Sequence, residues 1–271
     1  MRIVFIGDIF GRSGREALQA HLPKIKDELN PDVIIVNGEN AANGAGITEK
    51  ICKEFYEWGV DVITTGNHVW DQREIIPYIT RDEKLLRPIN YPTGSPGSGV
   101  YRFRIADGRT ITIVNAMCRL FMDAMDDPFA AMNKLVGEER LGQNTNAILL
   151  DFHGETTSEK MSMGHYMDGK VSCVIGTHTH IPTADAQILP GGTAYMSDAG
   201  MTGDYVSVIG VDKDIAMNRF IKKMPGERFR PSSGEATLCG ALIVVDENTG
   251  LAKAIEPIRI GGSLRPEWPS A

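Results

Sequence analysis

Eight polar residues of this chain stand directly behind apolar, β-branched runs, where chemistry is expected. Asp8 follows Ile3-Val4-Phe5-Ile6, Glu39 and Asn40 follow Val33-Ile34-Ile35-Val36, and Asn67 and His68 follow Val62-Ile63-Thr64. Further on, His153 follows Ala147–Leu150, and His178 and His180 follow Val171–Ile175. Singly they say little, since a strand-end Asp or Asn is usually a turn former and a lone His is usually hydrogen-bonded in a turn. His178-Thr179-His180 says more, because a period of two points both rings to one side if the strand continues. Together, carboxylates, amides and imidazoles leave buried charge uncompensated unless a cation sits among them. Nitrogen and oxygen donors without a thiolate suit iron, manganese or zinc. Setting His68 aside, seven candidate ligands are too many for one tetrahedral ion and suit two, with Glu39, from the middle strand, as the natural bridge.

These residues meet only if their strands lie side by side. The first seventy residues repeat one pattern: an apolar run, a glycine with a polar cluster, then an amphipathic segment. Such runs read as strands buried on both faces, as in parallel sheets. Residues 12–29 and 47–58 have helical spacing, closed by Asn30-Pro31 and Gly59. The polar clusters recur about every 30 residues, the length of a βαβ unit. Each therefore falls at a strand's C-terminal end, the edge that holds ligands in open α/β sheets. Beyond a Pro/Gly/Ser loop from Pro88 to Gly99, Val100–Ile105 and Arg109–Val114 flank Asp107-Gly108 as a hairpin. Helices are expected at 128–140 and 156–167. The last third has strand-like runs at 186–189, 207–211, 238–245 and 253–260 and few helical stretches, which predicts a second, more antiparallel sheet packed on the first.

Composition bounds the rest. With 271 residues, 42% hydrophobic and 23% charged, the chain is an ordinary globular protein and not a disordered one. No linker divides it, so residues 1–271 are expected to form a single domain. A net charge of −7 argues against long nucleic acid or an anionic membrane as partner, and leaves room for a small anionic ligand. No apolar run reaches the roughly 18 residues of a spanning helix, and the N-terminus lacks a signal-peptide pattern. A cytoplasmic protein is expected, with the possibility of a homo-oligomer left open. The four cysteines form no C-x-x-C pair and read as reduced core thiols. Gly7 to Gly14 lacks the Lys-Ser/Thr of a P-loop.

In order along the chain, Gly7-Asp8, Gly38-Glu39-Asn40, Gly66-Asn67-His68, His153-Gly154 and Gly176-Thr177-His178-Thr179-His180 resemble the motifs of the calcineurin-like metallophosphoesterases. The closer resemblance is to a bacterial branch typified by the YmdB phosphodiesterases. It rests on Gly7-Asp8-Ile9-x-Gly11-x-x-Gly14, Asn37-Gly38-Glu39-Asn40, Gly66-Asn67-His68-x-Trp70-Asp71 and Asp198-x-Gly200-Met201-Thr202-Gly203. Phe10 replaces the wider superfamily's His, and Glu39 its bridging Asp; both departures belong to this branch. The resemblance implies an α/β fold, the metallophosphoesterase-type βαββαβ sandwich of two mixed sheets flanked by helices in four layers. It implies two metal ions per chain, iron as the native metal with manganese, magnesium or zinc as alternatives. Asp8, Glu39, Asn40 and His180 would hold the first, and Glu39, Asn67, His153 and His178 the second. The implied enzyme is a hydrolase of small cyclic nucleotides, 2′,3′-cyclic monophosphates above all. A hydroxide held by both metals would attack phosphorus, and His68 would act as general acid. Asp71 either orients His68 or caps a helix, and substrate contacts by Phe10, Arg12 or Asp198 stay open. The alternatives are a phosphoesterase of other substrates, such as a phosphomonoester, a phosphoprotein or an RNA end, or a regulatory metal-binding protein with little turnover. A proton donor at His68 favours the enzyme.

Overall fold

A computed structural model describes residues 1–224 and 226–270. In chain order, β1 (Arg2–Ile6), α1 (Gly11–Leu29), β2 (Val33–Asn37), α2 (Glu49–Trp58) and β3 (Val62–Thr64) form two successive βαβ units whose strands pair in parallel. The punctuation acts as expected: Asn30 ends α1 in the left-handed region at φ 42°, and Gly59 ends α2 at φ 94°. The Thr48 side chain caps α2 by accepting from the Ile51 N–H. A short α3 (Ile75–Ile79) precedes the expected hairpin of β4 (Val100–Arg104) and β5 (Thr110–Met117). Then come α4 (Pro128–Glu138), β6 (Ala147–His153), α5 (Thr157–Met167) and β7 (Cys173–Thr177). The chain ends with β8 (Gln187–Ile188), β9 (Ala194–Met196), α6 (Lys213–Lys222), β10 (Leu238–Val245) and β11 (Ala252–Ile260).

Two mixed sheets result. The first has the order β11-β10-β1-β2-β3, the second β4-β5-β6-β7-β9-β8. Alternation along the strands sets the layers. Ile3 and Phe5 of β1 pack with Ile111, Ile113, Leu149 and Ile175 in the core between the sheets. Val4 and Ile6 turn outward onto Leu18, Leu22 and Ile25 of α1. On the far side, Ile148, Leu150 and Val174 meet Met132 and Leu135 of α4 and Met163 and Met167 of α5. The order is helix, sheet, sheet, helix, which is the expected fold class. All four cysteines are buried free thiols. Among the described residues no helix is long and apolar enough to cross a membrane.

The last third departs from the reading above. Its run at 186–189 does join the second sheet, as β8, but that sheet is built mostly from residues 100–177 and is parallel across β5, β6, β7 and β9. The antiparallel pair β10 and β11 instead completes the first sheet, with β10 beside β1. Residues 207–211 form no strand, because Ile209 at φ 48° and Gly210 at φ 93° fold them into a tight turn. The helix α6 was not expected. Asp212 caps it by accepting from the N–H groups of Asp214 and Ile215, but among its residues only Ile215 and Ala216 are buried.

Candidate metal centre

Each of the eight residues sits where its strand ends, at the C-terminal rims of the two sheets. The sheets pack face to face, so the rims adjoin. Gly7 allows a close approach: a Cβ there would lie 1.8 Å from the carbonyl oxygen of Gly200. The turn after β1 is thereby pressed against the segment 198–203, with Phe10 N–H donating to Thr202 O at 2.9 Å and Thr202 N–H to Asp8 O at 2.8 Å. Two groups of donor atoms form, Glu39 with His153 and His178, and Asp8 with Glu39 and His180; within each, the atoms lie within 4.8 Å of one another. Glu39 belongs to both. Asn67 Oδ1 is 3.0 Å from His153 Nε2, and the Asn40 amide lies 3.0 Å from Glu39 Oε1 and 3.1 Å from His180 Nε2. All seven candidate ligands are thus brought together.

The contacts around His153 fit a cation. Its Nε2 has Asn67 Oδ1 at 3.0 Å, Glu39 Oε1 at 3.1 Å and His178 Nδ1 at 3.1 Å. An imidazole nitrogen carries one proton or one lone pair, so it satisfies one of these three neighbours. Asp8 Oδ1 is buried with no hydrogen-bond partner among the described residues. A cation among these atoms relieves both mismatches, and hard oxygen with imidazole nitrogen is a donor set for a first-row metal. The titration of the same groups has the same cause. Burial raises the Asp8 carboxyl well above its usual range, and the attraction of His153 only partly offsets it. Burial opposes ionisation of Glu39 too, but His153 outweighs it and holds that carboxyl low. Burial would lower His153, yet Glu39 raises it to about 9. Burial and the charge of His153 push His178 down to about 3. One positive charge on His153 thus serves several acids, a task that a bound cation takes over while displacing the proton.

Around these donors lies a set of buried polar residues that the sequence reading missed. The Thr177 hydroxyl donates to Asp151 Oδ1 at 2.6 Å, so toward His153 Nδ1, 2.8 Å away, it acts as acceptor. That fixes the proton on Nδ1 and leaves Nε2 facing the cluster. Asp151 also accepts from Thr64 Oγ1 at 2.5 Å and Asn37 Nδ2 at 3.0 Å. His180 Nδ1 donates to Ile209 O at 2.8 Å, which turns its Nε2 inward. The signal for Asp151 was an acid inside an apolar strand. The period-two expectation for His178 and His180 fails, because β7 stops at Thr177 and both histidines have positive φ, 99° and 69°. They serve different donor groups instead. Between them Thr179 is held by Asp198, whose Oδ2 accepts from Thr179 N–H at 3.0 Å, Thr179 Oγ1 at 2.8 Å and Lys160 Nζ at 2.9 Å. Its Oδ1 accepts from Gly200 N–H at 2.8 Å, and Lys160 also donates to Thr177 O at 2.7 Å. Asp198 is buried behind this loop and does not line the cavity, whereas Phe10 does. Arg12 lines a separate surface hollow with Arg15 and Glu54.

A cavity of about 540 Å³ opens over the donors, lined by Glu39, Asn40, His178 and His180 together with His68. His68 Nδ1 is 2.8 Å from Asp71 Oδ2, and α3 begins only at Ile75, so Asp71 orients His68 and does not cap that helix. With Nδ1 engaged by Asp71, the second nitrogen of His68 is the one open to other partners.

Residues 4–258 match the family model described as YmdB-like protein. A 2′,3′-cyclic-nucleotide 2′-phosphodiesterase of Bacillus subtilis is 44% identical over 260 residues, covering 96% of this chain and 97% of that protein. The crystal structure of a hypothetical protein from Thermus thermophilus superposes with a TM-score of 0.90 at 41% identity, over 97% of this chain and 100% of that one. A crystal structure of a phosphatase from Mycoplasma pneumoniae superposes with a TM-score of 0.89 at 33% identity, over 96% and 93%. With the model spanning nearly the whole sequence and both structures reproducing its fold, the chain belongs to the YmdB-like family.

Proposed function

We propose that this protein is a metal-dependent phosphodiesterase that opens small 2′,3′-cyclic nucleotides. The observation that carries the reading is the pair of donor groups sharing Glu39, set beneath a cavity that His68 also lines. The Bacillus subtilis relative, named for that reaction and matched end to end, supports the substrate class. Asp8, Glu39, Asn40 and His180 hold one ion, and Glu39, Asn67, His153 and His178 the other. The donor set lacks sulfur and suits iron or manganese. When bound, the ions supply Lewis acidity toward the phosphoryl oxygens and an activated water at neutral pH. The protein's own part is to aim the donors and to manage a proton. Thr177 and Ile209 O fix the faces that His153 and His180 present. His68, held by Asp71, gives a proton from its free nitrogen to the departing ribose oxygen.

The test combines metal analysis with two substrates. Protein loaded with iron or manganese should bind two ions per chain and hydrolyse 2′,3′-cyclic AMP. His68→Ala should keep both ions and lose about 10²–10⁴-fold in turnover on the cyclic nucleotide, the usual contribution of a placed acid. With bis(p-nitrophenyl) phosphate, whose leaving group needs little protonation, the loss should be far smaller. Full activity in chelator, or turnover of phosphomonoesters with none of cyclic nucleotides, would replace this reading.

A further inference from the structure

Phosphate chemistry at the donors explains the polar floor of the cavity and not its other wall. That wall is made of Ile209, Val211, Phe229 and Pro231, and Phe10 and Arg230 also line the cavity. Two segments build it as one unit. Val211 bridges to Pro231, Asp212 N–H donates to Arg230 O at 3.0 Å, and Ser232 N–H donates to Gly210 O at 2.7 Å. Asp212 also binds the Arg230 guanidinium, with Nη2 to Oδ2 at 3.0 Å. The same segment reaches the metal donors through Ile209 O, the partner of His180 Nδ1. On this frame Phe229 is 51% exposed. The Arg219 guanidinium lies 3.7 Å from its ring centroid, so one face of the ring is already stacked and the ring is held as a platform.

An apolar wall with a half-exposed aromatic ring has no use for a phosphate or a ribose. It fits a flat, weakly polar group joined to them. We propose that this wall is a nucleobase subsite, in which the base of the substrate stacks on Phe229 against Ile209, Val211 and Pro231. The proposal rests on the phosphodiesterase reading for its phosphate end and adds the feature that separates nucleotides from other phosphodiesters. Stacking tolerates every base, since each has a π face. The subsite therefore selects for a base without strongly selecting which.

The test measures binding, so that it does not depend on turnover. Titration calorimetry with metal-loaded full-length protein compares adenosine 3′-phosphate with methyl riboside 3-phosphate, the same ligand without its base. The nucleotide should bind about 5- to 150-fold more tightly, the range of one base–aromatic stack. Phe229→Ala should bring the nucleotide down to the affinity of the abasic ligand and leave the latter unchanged. Phe229→Tyr should keep the preference, and Val211→Ser should reduce it with no change in the abasic ligand. Equal affinity of the wild type for both ligands, or a Phe229→Ala loss shared by both, overturns the subsite. Failure to hydrolyse any cyclic nucleotide, with the binding preference intact, overturns the activity and leaves the subsite standing.

Discussion

Lys160 and Asp198 form an ion pair at 2.9 Å with side chains only 2% and 1% exposed, behind the loop that carries His178 and His180. Removing one partner of such a pair leaves a charge in the interior and costs about 3–5 kcal/mol. In Lys160→Met, Asp198 keeps its three donors from Thr179 and Gly200 but loses its cation, and Thr177 O loses the Nζ–H. At roughly 2–4 °C per kcal/mol for a domain of about this size, the melting temperature should fall by roughly 6–20 °C. Measured in chelator, that loss is separate from metal binding. The double variant Lys160→Met/Asp198→Asn has no stranded charge and should be less destabilised than the two singles summed, by about 1–3 kcal/mol. A second readout concerns the loop itself. With Thr179 less firmly held, the two flanking histidines lose their aim, and chelator competition should show metal affinity down by about 10- to 100-fold. A melting shift within that of an exposed ion pair, below about 1 kcal/mol, together with unchanged metal affinity, would refute the role assigned to the pair.

Two further predictions follow from the donors. Gly66 has room for no side chain, because a Cβ would lie 2.3 Å from both Glu39 Oε2 and His153 Nε2. Gly66→Ala should therefore fold, at a cost of about 1–3 kcal/mol, yet retain metal at least about tenfold more weakly; normal metal content after dialysis would contradict it. In chelator, His153 is raised from 6.5 to about 9 by Glu39, against the effect of burial. Its contribution to stability is present below about pH 6.5 and is lost as pH rises toward about 9. Asp8, also raised, contributes a fall of the same sign that begins above its ordinary value of 3.8. Thermal melts in chelator should thus decline across this window and flatten in His153→Asn, while loaded protein should lack the decline because the proton leaves when the ion binds. A flat profile for the chelated wild type would argue against the His153–Glu39 pairing.

The positions of the candidate ligands were legible because each follows an apolar strand, and a strand's end is a local property. Asp8, Glu39 and Asn67 were bound for one rim once β1, β2 and β3 were recognised as parallel. The partnership of β1 with β10 was not legible, since nothing in Leu238–Val245 distinguishes a place in the first sheet from one in the second. Lys160 looks like a surface charge in sequence and Asp198 like a candidate substrate contact, and tertiary packing buries them against each other. α6 escaped notice because its apolar residues do not pay off as a buried stripe: Phe220 and Ile221 are both 77% exposed. Phe229 carried no signal at all, lying in an irregular segment whose value depends on the turn at 207–211.

The pairing of β1 bears on how the protein is made. β1 is an interior strand, with β2 on one side and β10 on the other, and it is made long before β10. Its register runs from Arg2 opposite Val244 to Ile6 opposite Gly240, and even the terminal amine donates to Val245 O at 3.0 Å. Until residues 238–245 emerge, the nascent chain carries an apolar edge with unpaired N–H and C=O groups, the kind that recruits stray strands. At about 5–20 residues per second, that edge stays open on the order of 10–40 s after β2 is made. Completion of the first sheet therefore waits until residues 238–245 have been made. Ribosome-bound chaperones have a long interval in which to act, and a chain truncated before β10 cannot bury the strand on which Asp8 depends.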